Sequence, residues 1–262
     1  MKKIFIILLI FCPLVQSYAQ IIADKGIIEM KIETKRQEDE TPTGNQDVGN
    51  SMRWGDLEMK GKMYFKDSMS KMMIDMGFSN SQVYYNAGTK TTTTLFQAMG
   101  KKMGFYSTDE EVRKVIETND STGMFKMPSS NDDVMIEYLS DEKKIAGYTC
   151  KKANVRYTNK QGQEMQQPVW YCPDFMVGNR FRMSSMMRMA SVPGMQKLKG
   201  FPMEYELKRN NGTTIYYIVT KVDLTANFKD NEFVIPSGYD LKPMSDMMRD
   251  GGRGFMIRQE EN

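Results

Sequence analysis

Apolar and polar residues alternate with a period of two along most of this chain, and that pattern admits few folds. Ile28, Met30, Ile32 and Thr34 share one side of an extended segment, with Glu29, Lys31 and Glu33 on the other. Leu57, Met59, Gly61, Met63 and Phe65 repeat the arrangement against Glu58, Lys60 and Lys62. Successive side chains of a strand point to opposite faces, so such alternation marks half-buried strands. Residues 82–96 read as a hairpin turning at Asn86-Ala87-Gly88-Thr89, and residues 201–207 and 213–222 as another turning at Asn210-Asn211-Gly212. Residues 134–139 and 231–239 read as further strands, the latter ended by Pro236 and Gly238. The run SMSKMMIDM (68–76) would suit a helical stripe, but it is short and flanked by strands, which favours a strand. One helix is expected after Ser107-Thr108: Asp109, Glu110 and Glu111 suit the positive end of a helix, and Val112, Val115 and Ile116 fall on one side. Residues 36–55 and 117–133 are polar and turn-rich and read as loops. Many strands at short spacing predict a mainly β protein, one antiparallel sheet, curved or closed, with a few short helices as plug or lid.

Residues 1–19 carry a different signal. Lys2 and Lys3 precede an apolar run from Ile4 to Val15, and Ser17-Tyr18-Ala19 supplies small residues before Gln20. This is the pattern of a secretory signal peptide. The run is shorter than the roughly 20 residues that span a bilayer, and no later segment approaches that length, so no transmembrane helix is expected. Cys12 follows Phe11, where a lipoprotein signal needs a small residue, and reads as an ordinary leader residue. The chain is therefore expected to be exported, to the periplasm or in association with an outer membrane. Residues 20–240 are expected to form a single domain and residues 241–262, with Gly251-Gly252-Arg253-Gly254, a flexible tail.

Composition narrows the chemistry. The chain has no His, which excludes Ser-His-Asp, Cys-His and His-zinc devices. Lys plus Arg number 36 against 33 Asp plus Glu, too even a balance for a nucleic-acid footprint. The carboxylate pairs Asp132-Asp133 and Asp141-Glu142 sit in turn-like stretches, and no nucleophile elbow, phosphate loop or calcium loop occurs. A non-catalytic protein without a cofactor is expected. Past the leader, two cysteines remain, Cys150 and Cys172, flanking a polar turn near 159–163. In a hairpin symmetric about position 161 they would be cross-strand neighbours, within reach of a disulfide in an oxidising compartment.

The segments IAGYTCKKANV (145–155), VWYCPDF (169–175), GFPMEYEL (200–207) and NEFVIPSGY (231–239), in that order, resemble a family of exported bacterial proteins. That family is known as a Met-rich domain of unknown function, frequent in Bacteroidota. The resemblance covers about residues 24–240 and implies kinship with the LolA/LolB-like lipoprotein carriers. Their curved sheet, an unclosed barrel, holds acyl chains on its concave side. A sister family carries a GLPGLI hexapeptide, absent here, where residues 192–205 read VPGMQKLKGFPMEY. The resemblance supplies no catalytic residues.

Methionine then acquires meaning. The chain holds 26 of them. Met fills irregular cores, but it specifies them poorly and suits surfaces that adapt to varied apolar partners. An unclosed barrel lined with Met30, Met59, Met63 and Met73, with Trp170 and Phe201 nearby, would suit a lipid or the acyl chain of a lipidated protein. Residues 175–199 are basic and Met-rich; Met183, Met186 and Met187 share a helical side ended by Pro193-Gly194, so a short helix or lid is expected, with Met186 and Met187 toward the ligand. Thioethers also bind Cu(I), and Met69-x-x-Met72, Met73-x-x-Met76 and Met183-x-x-Met186 keep a copper protein as the alternative, beside an envelope protein acting through protein contacts.

Overall fold

The computed structural model describes residues 20–36, 57–98, 100–118, 134–158, 164–178, 194–208, 213–229 and 231–249. Its strands are β1 (Ile21–Ala23), β2 (Lys25–Arg36), β3 (Leu57–Lys66), β4 (Met69–Asp75), β5 (Ser79–Asn86), β6 (Thr91–Ala98), β7 (Lys101–Thr108), β8 (Met135–Ile145), β9 (Tyr148–Thr158), β10 (Glu164–Cys172), β11 (Phe175–Val177), β12 (Phe201–Lys208), β13 (Thr213–Asp223) and β14 (Asp240–Pro243). Helix α1 spans Asp109–Thr118 and α2 spans Met244–Arg249, with one 3-10 turn at Met195–Lys197. Among the described residues, twelve strands form one sheet in the order β14-β7-β6-β5-β4-β3-β2-β13-β12-β10-β9-β8, and β1 pairs with β11 in a parallel two-stranded piece. The first and last strands do not meet, so the barrel stays unclosed. Register breaks between Trp170 and Tyr171, Val219 and Lys221, and Tyr138 and Glu142 supply the local bends of a curved sheet.

Local chemistry explains the hairpins. β3 and β4 join through Asp67-Ser68, with Lys66 opposite Met69 and Asp67 at φ 53. Asp tolerates that left-handed region better than most residues. Ala146-Gly147 joins β8 to β9 with both φ positive, at 50 and 87, a mirror-image turn whose twist suits paired strands. At 87–90 the Asn86 side-chain oxygen accepts the N–H groups of Gly88 at 2.9 Å and Thr89 at 3.3 Å. The expected helix forms as α1. Thr108 N–H donates to Glu111 Oε2 at 2.7 Å while Glu111 N–H donates to Thr108 Oγ1 at 3.2 Å, a reciprocal capping box. The ambiguous run at 68–76 is a strand, β4.

Two expectations need correction. Residues 231–239 are not a strand; they form turns within a strap, residues 224–229 and 231–239, laid across one side of the sheet. Phe228 packs edge-on to Tyr64 of β3 at 6.4 Å between ring centroids, and Phe233 lies 5.4 Å from Phe228. Lys71 of β4 donates to Glu232 Oε1 at 3.0 Å, and Lys102 of β7 lies 5.7 Å from the Tyr239 ring. The strap thus runs from β13 over β3, β4 and β7 and then adds β14 in parallel beside β7. Second, the chain past 240 is structured through Arg249 as β14 and α2, with Met244 buried against Phe105 and Val112. Cys150 and Cys172 are both buried, with no bond between them in this structure. The expected leader 1–19, the segment 37–56 expected as a loop, the segment 179–193 with Met183, Met186 and Met187, and residues 250–262 lie outside the described residues. Gln20, the residue expected to follow the leader, donates its amide to the carbonyls of Pro173 and Lys199, both at 2.9 Å.

Candidate functional site

Cross-strand partners share a face, so register assigns every strand residue to one side. On one side a row runs Phe105, Thr94, Val83, Met72, Met63, Ile28 across β7, β6, β5, β4, β3 and β2. From Ile32 the same face continues through Tyr217, Tyr205, Val169, Ala153 and Tyr138 on β13, β12, β10, β9 and β8. Its two ends are packed: α1 and α2 bring Val112 and Met244 onto Phe105, and the segment after the 3-10 turn brings Leu198 onto Ala153, Val155 and Val169. Its middle is packed too: Ile28, Met63, Phe65 and Val219 are buried in one cluster with Phe175 and Met203, and Met30 and Met72 lie against it. Between those ends Met30, Met59, Met72, Ile74 and Val83 are half-buried. We call this the Met face.

The opposite side is charged and strapped. Over β2 and β3, Lys31 bridges Glu33 at 2.6 Å and Glu58 at 2.8 Å, and Lys62 bridges Glu29 at 3.2 Å. Farther along, Tyr84, Thr93 and Leu95 are buried under or beside the strap. Lys71 keeps only 12% of its side chain exposed. Burial penalises its charge, but Glu232 and the Tyr84 and Tyr64 phenols outweigh that, and its pKa is raised.

The expected site residues divide between these sides. Met30 and Met59 are half-buried and Met63 is buried, all on the Met face. Met30 lies over Gly61: a Cβ there would sit 2.6 Å from Met30 Cγ, so the missing side chain makes room for the thioether. Met73 is not on that face. It is the partner of Lys62 and Gln82, on the charged side, and its neighbour Met72 takes the place expected of it. The two-residue turn at Asp67-Ser68 carries that information, because it sets Met63 opposite Met72. Trp170 is likewise displaced from the methionines: it pairs with Glu204 and Lys152 and carries the Lys143 ammonium 4.4 Å from its ring centroid. Phe201 stacks on Phe175 at 5.2 Å and 19°, packing the β11 segment onto the sheet. Ile74, Val83, Phe96 and Met103, not expected, extend the Met face toward β7.

β4 also separates the sulfurs proposed for copper. Met72 and Met73 point to opposite sides, and Met69 and Met73, on the same side, stand roughly 13 Å apart at strand spacing. No cluster of His, Cys, Asp and Glu able to hold a metal occurs among the described residues. A hollow of about 140 Å³ opens at the β7 end, lined by Phe96, Met103, Phe105, Met247, Asp240 and Lys242. That is below the ~300–1,000 Å³ of pockets that enclose whole small ligands. What the geometry offers is an apolar face with a shallow end pocket. Among the described residues no helix is long and apolar enough to cross a membrane.

No curated protein matches this chain significantly. Among solved structures, PNGF-II is similar at 11% identity and TM-score 0.38, over 86% of this chain and 32% of that one. The MucA/MucB complex of Pseudomonas aeruginosa is similar at 9% identity and TM-score 0.39, over 82% of this chain and 57% of that one. A domain from Vibrio parahaemolyticus described as an outer membrane lipoprotein-sorting protein is similar at 10% identity and TM-score 0.29, over 80% of this chain and 89% of its own. This chain thus spans a third to rather more than half of the first two, and likeness at these scores carries no functional argument. A family model matches residues 43–239, three quarters of the sequence, and the chain belongs to the family described as Domain of unknown function (DUF4412).

Proposed function

We propose that this is an exported, non-catalytic protein of the cell envelope that binds an apolar ligand, a lipid or the acyl chain of a lipoprotein, on the Met face. The observation that carries the reading is the asymmetry of the sheet. The strap crosses one side, while on the other Met30, Met59, Met72, Ile74 and Val83 form a half-buried apolar margin beside the buried cluster of Ile28, Met63 and Phe65. Each fully buried side chain of this size contributes roughly 1.5–3 kcal/mol, so covering what these five leave exposed is a favourable step for an acyl chain. Thioethers adapt to chains of differing length and unsaturation at little strain. The leader pattern of residues 1–19 supports export to a compartment where lipids are handled.

The test is direct. Protein purified from an exporting host is extracted for lipid and analysed by native mass spectrometry, then titrated with a fluorescent fatty acid. Bound lipid, or saturable binding displaced by phospholipid, supports the proposal. Bare protein that leaves the fluorescent fatty acid free at micromolar concentration overturns it.

A further inference from the structure

The hairpin of β9 and β10 holds two thiols in register. Its partners run from Thr158 with Glu164 to Lys151 with Tyr171 without a break, and Cys150 and Cys172 are the next residue on each strand. Both residues are fully buried. Cys150 Sγ donates toward the Tyr148 carbonyl at 3.7 Å. They pack with Ile28, Ile145, Phe175, Met203 and Val219, where the β1–β11 piece meets the main sheet. Gly200 lies so close that a Cβ there would fall 2.1 Å from the Cys172 carbonyl oxygen, so the chain entering β12 closes directly over the pair. Nothing in the ligand-binding proposal uses these thiols.

We infer that Cys150 and Cys172 are a modification site: they become joined as a disulfide when the chain folds in a compartment that supplies a disulfide donor. Either thiol can open the exchange; take Cys172. Its thiolate, having lost a proton to solvent, displaces one thiolate from the donor disulfide and forms a mixed disulfide. Cys150 then loses its proton and attacks Cys172 Sγ, which forms the Sγ–Sγ bond and releases the second donor thiol. Two electrons pass to the donor, which becomes a pair of thiols, and the protein is oxidised by the loss of two hydrogens. Because the folded pair is sealed, the exchange belongs to folding, before β12 and β11 close over it. Afterwards the bridge is shielded from reductants until the chain unfolds.

The full chain, produced with its leader in an exporting host, is denatured, alkylated without reductant, digested, and mapped by mass spectrometry. The expected result is a linked peptide pair carrying Cys150 and Cys172, with a mass about 2 Da below the sum of the free peptides. Reductant added to the native protein should leave the pair linked, and reductant plus denaturant should release it. Recovery of both residues as alkylated peptides without any reductant overturns the inference. The readout is independent of ligand binding, so neither proposal's failure is mistaken for the other's.

Discussion

Met72 and Met73 are adjacent in sequence, both half-buried, and on opposite sides of the sheet. Placing a carboxylate at each in turn therefore reads the assignment of faces. In Met72→Glu the loss of half a side chain's burial costs about 1 kcal/mol. The carboxylate then lies in the row between Met63 and Val83, and meeting apolar partners adds about 1–3 kcal/mol. In Met73→Glu a similar ~1 kcal/mol of burial is lost, but the new charge falls opposite Lys62, which returns up to ~1 kcal/mol. The expected difference is about 2 kcal/mol, roughly 30-fold in the folding equilibrium. Thermal unfolding followed by circular dichroism should show Met72→Glu about 5–15 °C lower than the parent, with Met73→Glu within a few degrees of it. A fluorescent fatty acid should bind Met72→Glu at least tenfold more weakly and Met73→Glu unchanged. Equal destabilisation of both variants, or the larger loss at Met73, would refute the argument from register and with it the Met face.

Other outcomes follow from single features. Thr108→Ala removes the side-chain half of the α1 capping box and should cost about 1 kcal/mol in urea titrations, whereas Thr108→Ser should cost much less. From neutral pH, stability should be flat up to about pH 10 and fall above it. Burial raises the pKa of Tyr84, Tyr148, Tyr157 and Tyr171, so each contributes stability below the ordinary phenol range that is lost as pH rises through its raised value. Lys71 acts in the same direction, and tyrosinate absorbance should rise together with unfolding; ionisation well before unfolding would contradict it. Replacing both Cys150 and Cys172 by Ala should lower the stability of the oxidised protein by about 3 kcal/mol on the chain-entropy account, and much less for protein made under reducing conditions.

Much of the fold was legible because it is local. Alternation marked β2 and β3, polar turn residues marked the hairpins, and the acidic start after Thr108 marked α1. The midpoint at 161, read from the spacing of the two cysteines, is the register that β9 and β10 adopt. The site was legible less well. Period two places a residue on a face only once the register between strands is known, and a slip of one residue moved the expected site from Met72 to Met73. Trp170 looked like a lining residue because a large aromatic on a strand suits a core; its place under Lys143 depends on β8, a strand more than twenty residues earlier.

Residues 224–229 and 231–239 show the boundary between the two kinds of information. Phe233, Val234 and Ile235 have strand propensity, yet Val234 is 60% exposed and the segment crosses the sheet as a strap. It is held by Tyr64, Lys71 and Lys102, residues more than a hundred positions away. The sequence alone determined that the chain would build amphipathic strands, how most of them turn, and that one helix would be capped at Thr108. Only the tertiary structure decided which side of the sheet the strap would cross and which would carry the buried core, with Met30, Met59 and Met72 half-buried beside it. The reason is physical: alternation and turn chemistry act over a few residues, whereas burying one face or the other depends on contacts between segments that approach only when the whole sheet has formed.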